Sequence, residues 1–249
     1  MQRVLNALFE YKSTELYTAL PAIVVSVNAG LTSMSVNVQP TVNIRQEDGD
    51  IEERPTILNV PVQMPASSTS AFTFPVNVGD TVLLVFTMQG IDTWKRGTGK
   101  PTTPSDFRHH SIRDCFAITG VFPFANSVNN PNKRSWAHST QDTVMVHNIG
   151  TGSETEVRMK PSGDIIINTN QNVTANCNKA TINSSSIEMN ANSMNINVPN
   201  TTWNGDITQS GNLKVSGLTT SGSIASGDIK SGTVSLSGHT HSKGAPPDA

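Results

Sequence analysis

The stretch Thr81-Val-Leu-Leu-Val-Phe-Thr-Met88 is the most apolar run of the chain. Its β-branched and aromatic residues favour a strand, and the pair Gly79-Asp80 directly before it is a turn signal. We therefore expect residues 81–88 to form the central strand of a β domain.

Shorter strand-like runs lie on both sides of this stretch, at residues 22–28, 34–38, 57–62 and 116–122. Five or six short strands separated by turn signals within about 110 residues are typical of a small β-barrel. Phenylalanines are the candidates for its core: Phe9, Phe72, Phe74, Phe86, Phe116 and Phe122. The first residues of the chain have helical spacing of apolar positions, so residues 1–17 are expected to form a helical N-terminal segment.

The composition changes in the second half of the chain. From Thr151 to Ala249 there is no Phe or Tyr, and Trp203 is the only Trp. Apolar residues alternate there with Asn, Ser and Thr, as at Ile187 and Met189. A short strand with one apolar face is not stable alone, whereas three chains can bury those faces along a common axis. The persistent alternation argues against a disordered linker, and it leaves an intertwined trimeric β-helix and a single-chain β-solenoid as equal alternatives.

Two histidines, His239 and His241, follow the repetitive tract. In an extended strand, residues i and i+2 point to the same side, so both imidazoles can face one axis. Three chains would supply six imidazoles, and an octahedral nitrogen shell suits iron(II) better than zinc, which prefers four ligands. The alternative is a chance His-x-His in a polar tail.

Charge and composition argue against several other classes of protein. Charged residues make up 14% of the chain and the net charge is −2, so no basic field attracts nucleic acid. No run of 18 apolar residues predicts a transmembrane helix, and the N-terminus lacks a signal-peptide pattern. Asp106, His109, His110, Asp114 and Cys115 form the densest cluster of reactive side chains. We interpret this cluster as structural, and we do not expect an enzyme.

A resemblance to a known family follows from several motifs in order: residues 19–24, Val38-Gln-Pro40, Val60-Pro-Val62, Phe72-Thr-Phe-Pro-Val-Asn-Val-Gly-Asp80 and residues 108–116. Together they resemble the N-terminal domain of the membrane-piercing central spike proteins of contractile-tailed bacteriophages. The resemblance covers about residues 18–125. It implies an all-β fold, in which an N-terminal OB-fold barrel is followed by an intertwined trimeric β-helix needle.

The resemblance also implies a domain organisation. Residues 1–17 would precede an OB-fold baseplate-hub adaptor at 18–128, and a connector would occupy 129–142. The trimeric stem would span 143–237, and the tip, residues 238–249, would hold one Fe²⁺ per trimer through His239 and His241 of three chains.

The function implied is that of a homotrimeric, non-enzymatic virion protein at the tail baseplate tip, assembled in the host cytoplasm. Its partners would be other copies of the chain, the baseplate hub or tail tube protein, and the host outer membrane that it pierces during injection. A trimeric tail fibre or adhesin whose tip binds a host receptor is the alternative. A barrel that binds nucleic acid is a more distant one, and we expect no nucleic-acid partner.

Overall fold

The protein is described by a computed structural model, which covers residues 16–30, 34–46 and 48–217, together with Gln2 and two short strands near the C-terminus. The chain divides into two compact units, residues 1–178 and 179–249. The second unit contains β11 (Lys230–Ser231) and β12 (Val234–Ser235), which pair antiparallel. The elements of the first unit are β1 (Ala19–Ala29), β2 (Met34–Pro40), β3 (Ile44–Arg45), β4 (Ile51–Glu52), β5 (Ile57–Gln63), β6 (Thr81–Phe86), α1 (Asp92–Arg96), β7 (Cys115–Thr119), β8 (Thr143–His147), β9 (Thr155–Met159) and β10 (Ile165–Thr169), with 3-10 turns at Phe124–Asn126 and Pro131–Lys133.

Five of these strands close into a barrel in the order β1-β2-β5-β7-β6. Four of the five pairings are antiparallel, and only β5 and β7 run parallel, with Val62 opposite Ala117. A five-stranded barrel is the architecture of the OB-fold. The expected all-β N-terminal barrel is confirmed, and the stretch from Thr81 to Phe86 forms one of its strands, β6. Because every strand of a closed barrel lies between two others, no strand is central.

Closure of the barrel depends on β1, its longest strand. Residues Ala19–Ile23 pair with β6, whereas Ala22–Ala29 pair with β2. The register of β1 against β2 shifts between Val24 and Ser26, which is the mark of a β-bulge. A bulge bends a strand and increases its twist, so that one strand can serve both sides of a small barrel.

Small and β-branched side chains fill the barrel interior. Alternate residues of β6 point inward, and Val82 and Leu84 are completely buried while Phe86 is 7% exposed. The full set of buried apolar residues is Ala22, Val24, Val36, Val38, Ile57, Val60, Val76, Val82, Leu84, Phe86, Cys115 and Ala117. The narrow interior of a five-stranded barrel suits side chains of this size.

The predicted phenylalanine core is wrong for three residues. Phe72 and Phe74 lie in the irregular segment between β5 and β6 and are 64% and 43% exposed, and Phe122 lies beyond the end of β7 and is 38% exposed. Val76, in the same irregular segment as Phe72 and Phe74, does reach the core, so the path of the segment and not its lack of a strand leaves these rings on the surface. Phe86 is in the core as expected, and Phe116 is half-buried on the outer face of β7.

A small hairpin projects between β2 and β5. Its strands β3 and β4 pair through Ile44 with Glu52 and Arg45 with Ile51. At its tip, Gly49 has a φ of +96°, a conformation that favours glycine, and Asp48 Oδ1 accepts a hydrogen bond from the Asp50 backbone N–H. We call residues 44–53 the acidic hairpin.

A second, three-stranded sheet follows the barrel in the sequence. Its strands are antiparallel in the order β10-β9-β8, and β9 and β10 are joined by a tight turn in which Gly163 has a φ of +92°. The strands predicted around residues 143–148 and 156–168 are thus observed. The residues of helix α1 are the only α-helical segment within residues 16–30, 34–46 and 48–217, and no helix in that part of the chain is long and apolar enough to cross a membrane.

Two predicted segments fall outside the described residues. They are the tip, residues 238–249, and almost all of the N-terminal segment 1–17. The trimeric β-helix and the domain boundaries inferred from the sequence stay predictions.

The substitution Leu84→Ala should lower the free energy of unfolding of the barrel by about 2–5 kcal/mol, because it leaves a cavity among fully buried neighbours. Urea unfolding can be followed by the fluorescence of Trp94, whose ring lies edge-on against Phe116 of β7, in a chain with Trp136→Phe and Trp203→Phe. The control is Val78→Ala, at a residue that is 67% exposed in the segment before β6, and it should cost about 0.5 kcal/mol or less. Equal effects of the two substitutions would contradict the core assignment.

Candidate functional site

The predicted iron ligands, His239 and His241, lie outside the described residues, so their coordination stays a prediction. Within residues 16–30, 34–46 and 48–217, no group of three or more His, Cys, Asp or Glu side chains could hold a metal ion. Three other regions of the described structure are candidates for a functional role. They are residues 170–217, the three-stranded sheet and the surface of the barrel.

Residues 170–217, which we call the exposed tract, form no helix or strand. Every large apolar side chain in it is more than half exposed: Val173, Ile182, Ile187, Met189, Met194, Ile196, Val198, Trp203, Ile207, Leu213 and Val215. Large exposed apolar side chains in such number point to a site of association. None of the residues that the structure describes covers these apolar side chains.

The backbone of the exposed tract is also unpaired. No backbone–backbone hydrogen bond joins residues within 170–217, and the hydrogen bonds present are short-range ones, such as Asn190 Nδ2 to Glu188 Oε1 at 2.8 Å. A single-chain β-solenoid would require ladders between successive turns of the same chain. The described residues contain no such ladders, so this alternative does not fit the structure.

The cluster of reactive side chains on the barrel holds the loop between β6 and β7. Arg108 lies at its centre, with Nε 2.9 Å from Asp106 Oδ2 and 3.6 Å from Asp114 Oδ2, while its Nη2 contacts Asp92 Oδ2. The hydrogen bond and charge of Arg108 hold the pKa of Asp92 below its ordinary value against the opposing effect of burial. Asp114 is buried, and its Oδ1 accepts a hydrogen bond from the Ile91 backbone N–H at 3.0 Å. These contacts fix the start of α1.

The other members of the cluster also have structural contacts. His110 Nδ1 lies 3.2 Å from the Tyr17 carbonyl oxygen, and His109 forms an isolated β-bridge with Gln89. Cys115 is completely buried, and its burial raises the pKa of the thiol to about 12. At neutral pH the thiol is protonated and inaccessible, so it is a core residue and not a nucleophile.

The three-stranded sheet buries charged side chains where a sheet usually buries apolar ones. Glu154, Glu156 and Arg158 alternate along the chain and are 0%, 1% and 6% exposed. Arg158 pairs with Glu156, and its Nη1 donates to the Ala137 carbonyl oxygen at 2.8 Å. Asn168 Nδ2 on β10 donates to Glu156 Oε1 at 2.8 Å. This network fastens the connector segment to the sheet.

Glu154 fastens the same connector at a second point. Its carboxylate accepts hydrogen bonds from the backbone N–H groups of Ser135 and Gly150 and from the Ser135 hydroxyl. Burial alone would raise the pKa of Glu154, but these hydrogen bonds and the charge of Arg134 outweigh it and lower the pKa below its ordinary value. Gly150 has a φ of +71°, and a Cβ there would lie 2.9 Å from the Lys133 carbonyl oxygen, so the turn requires glycine.

A groove of about 950 Å³ on the barrel surface is lined by four basic side chains. It runs between β2, β5 and α1, and its basic residues are Lys95, Arg96, Arg108 and Arg113. Asp92 is the only carboxylate in its lining and is already paired with Arg108. We call this feature the basic groove. Sequence reasoning missed it because Arg113 is brought to α1 only by the folded loop.

One protein-family model matches the barrel region of the chain. Residues 20–120, less than half of the chain, match the family described as the N-terminal domain of phage protein Gp138. A comparison with curated proteins finds no match to the chain. The family match supports a structural protein of a phage virion, carrying its all-β barrel in the first half of the chain.

The thiol assignments predict selective labelling. In a Cys177→Ser chain, a maleimide should label no thiol in the native protein at about pH 8, because Cys115 is buried and protonated, and it should label one thiol per chain in denaturant. Mass spectrometry reads the label directly. Native labelling of Cys115 at the denatured rate would contradict its burial.

The substitution Glu154→Gln should lower the melting temperature of the sheet at neutral pH by about 5 °C, the shift expected for the net loss of about 1 kcal/mol of hydrogen bonding. Since the folded pKa of Glu154 lies below its ordinary value of 4.5, its stabilisation is complete above that pH and is lost as the pH falls through the lower folded value. The parent chain should therefore lose stability below about pH 4.5 more steeply than the variant.

Thermal unfolding can be followed through Trp136, next to Ser135, after replacing Trp94 and Trp203 with phenylalanine. The matched control is Glu188→Gln, because Glu188 is exposed and should change neither the melting temperature nor its pH dependence. Identical pH profiles for the parent chain and Glu154→Gln would contradict the proposed role of the carboxylate.

Proposed function

We propose that this protein is the homotrimeric central spike at the tail tip of a contractile phage, and that it pierces the host outer membrane during injection. The barrel would attach the spike to the baseplate hub or tail tube. The residues after the connector would form a β-helix needle, and His239 and His241 would hold iron at its tip.

The observation that carries this proposal is the exposed tract. Eleven large apolar side chains, each more than half exposed, lie along residues 170–217 together with unpaired backbone groups. Two further copies of the same chain could cover the apolar face and supply the missing hydrogen bonds at once. A trimer is therefore favoured over a single chain in isolation.

The barrel supports a spike more than a tail fibre. Its residues match a phage protein N-terminal domain, whereas a fibre or adhesin would be expected to carry a different attachment domain. The barrel also lacks the sequence features of a nucleic-acid binder, since the net charge of the chain is −2 and aromatic residues are 5%.

The chemistry of the tip residues suits a metal on a three-fold axis. His239 and His241 are separated by one residue, so three extended chains would direct six imidazole nitrogens to one point. Imidazole is a good ligand for iron(II), and when bound the ion would link the three chain ends. The chain's own contribution would be to present both imidazoles on one side of an extended strand. A cross-linked end would resist fraying under load.

Light scattering and elemental analysis on one purified sample test the proposal. We expect a mass of three times the 26.6 kDa chain and about one iron ion per three chains. A monomer without metal would overturn the proposal. A trimer without metal would retain the assembly and remove the tip assignment.

The paired substitution His239→Ala and His241→Ala should abolish the bound iron and leave the trimer and the barrel intact, because the metal would join only the chain ends. Elemental analysis and light scattering measure the two effects separately. The control His109→Ala, at an exposed histidine of the barrel, should keep its iron. Iron retained at full stoichiometry after loss of both tip histidines would contradict the assignment.

A further inference from the structure

The acidic hairpin and the basic groove are two surface features of opposite charge on the same barrel. We propose that the acidic hairpin of one copy docks into the basic groove of the next copy, so that three barrels form a closed ring. This inference rests on the proposed homotrimer, and it adds the contact that joins the barrels and sets their order.

The hairpin concentrates negative charge. Glu47, Asp48, Asp50, Glu52 and Glu53 are five of the 19 acidic residues of the chain, and they occupy seven consecutive positions. The four of them that the structure describes are exposed, and none forms an ion pair with a described residue. Ile51 on β4 is 71% exposed. The hairpin thus offers several carboxylates and one apolar side chain to a partner.

The base of the hairpin is firmly held, so that its tip is presented and does not collapse on the barrel. Arg54 Nε donates to the Val42 carbonyl oxygen at 3.0 Å, and its Nη1 donates to the Tyr17 hydroxyl at 3.1 Å. Gln39 Nε2 on β2 donates to the Arg54 carbonyl oxygen at 2.6 Å. These contacts tie the start and the end of the hairpin to neighbouring barrel residues.

The groove has the opposite charge and a matching apolar side chain. Lys95, Arg96 and Arg113 form no ion pair within the described residues, although Lys95 Nζ donates to the Arg113 carbonyl oxygen at 3.3 Å. Leu58 on the groove wall is 62% exposed. A hairpin in the groove would therefore pair carboxylates with free cations and place Ile51 against an apolar wall.

The geometry of such a contact favours a ring. The hairpin and the groove are different patches of one chain, so the contact is heterologous, and heterologous contacts close into rings when the rotation between copies permits. Complementary charges at an interface set orientation and exclude wrong partners more than they add affinity. The ring would thus give the three barrels a defined orientation around the axis. The exposed tract would supply most of the apolar surface that the trimer buries.

Disulfide trapping tests the contact. In a Cys177→Ser background, the pair Asp50→Cys and Arg113→Cys should give covalent dimers and trimers on mild oxidation, resolved on a gel without reductant. The matched control combines Asp50→Cys with Lys100→Cys, an exposed position outside the groove lining, and should remain monomeric on the gel. Asp50→Cys alone, as the second control, should give no trimer.

A second experiment measures how much the opposite charges contribute to the contact. Adding Glu52→Lys and Glu53→Lys to the trapping pair should slow cross-linking at about 0.1 M salt, where charges interact over about 10 Å, and the difference should shrink at about 1 M salt, where the range is about 3 Å. Equal rates at low salt would overturn the electrostatic basis of the contact.

Light scattering on the same samples separates the two proposals. A trimer that yields no interchain disulfide overturns the docking contact and leaves the spike standing. A monomer overturns both. A fast-migrating monomer band would mean that the hairpin fills its own groove, which overturns the ring. Heparin bound by the native trimer and lost in Arg113→Glu would mean that the groove is open to polyanions, which also overturns the proposal.

Discussion

The exposure of the large apolar side chains in the exposed tract is the constraint on which the proposed assembly rests. Burying a Val, Leu, Ile or Met side chain is worth about 1.5–3 kcal/mol relative to leaving it in water. Residues 170–217 contain no Phe or Tyr and few charges, so they can neither build a core of their own nor behave as a charged, solvated tail. In the proposed trimer, each copy would cover part of the apolar surface of the other two.

The barrel and the three-stranded sheet are stabilised by different forces. The barrel encloses small apolar side chains around Leu84, and its stability comes from removing them from water. The three-stranded sheet encloses Glu154, Glu156 and Arg158, whose desolvation is offset only by specific hydrogen bonds. The barrel interior therefore tolerates exchange among apolar residues of similar size. The sheet depends on particular donors and acceptors, including those of the connector.

Much of the barrel could be predicted from the sequence, because strand length and alternation of apolar residues are local signals. β1, β2, β5, β6 and β7 all coincide with such runs. The burial of phenylalanines could not be predicted in this way, because Phe72 and Phe74 lie in a segment whose path is set by tertiary structure. The alternation of Glu154, Glu156 and Arg158 was visible, but a charged face normally points to solvent, and only the fold reveals its inward direction.

The candidate sites also differ in how far the sequence could predict them. The cluster around Cys115 could be interpreted as structural before its contacts were known. The basic groove could not be found, because it joins residues of β5, α1 and the end of a long loop that Arg108 holds in place. The proposed iron tip would be a property of several chains together, and the pattern of His239 and His241 indicates it only through an assumed axis.

The position of β7 has a mechanical consequence. It is the last barrel strand in the sequence, and it is flanked by β5 on one side and β6 on the other. A load that enters the barrel through the chain after Thr119 acts along β7, so two ladders of hydrogen bonds resist it together in shear. A strand at a free edge could instead be peeled away one bond at a time. Closure of the sheet thus makes the barrel a clamp on the segment that follows it.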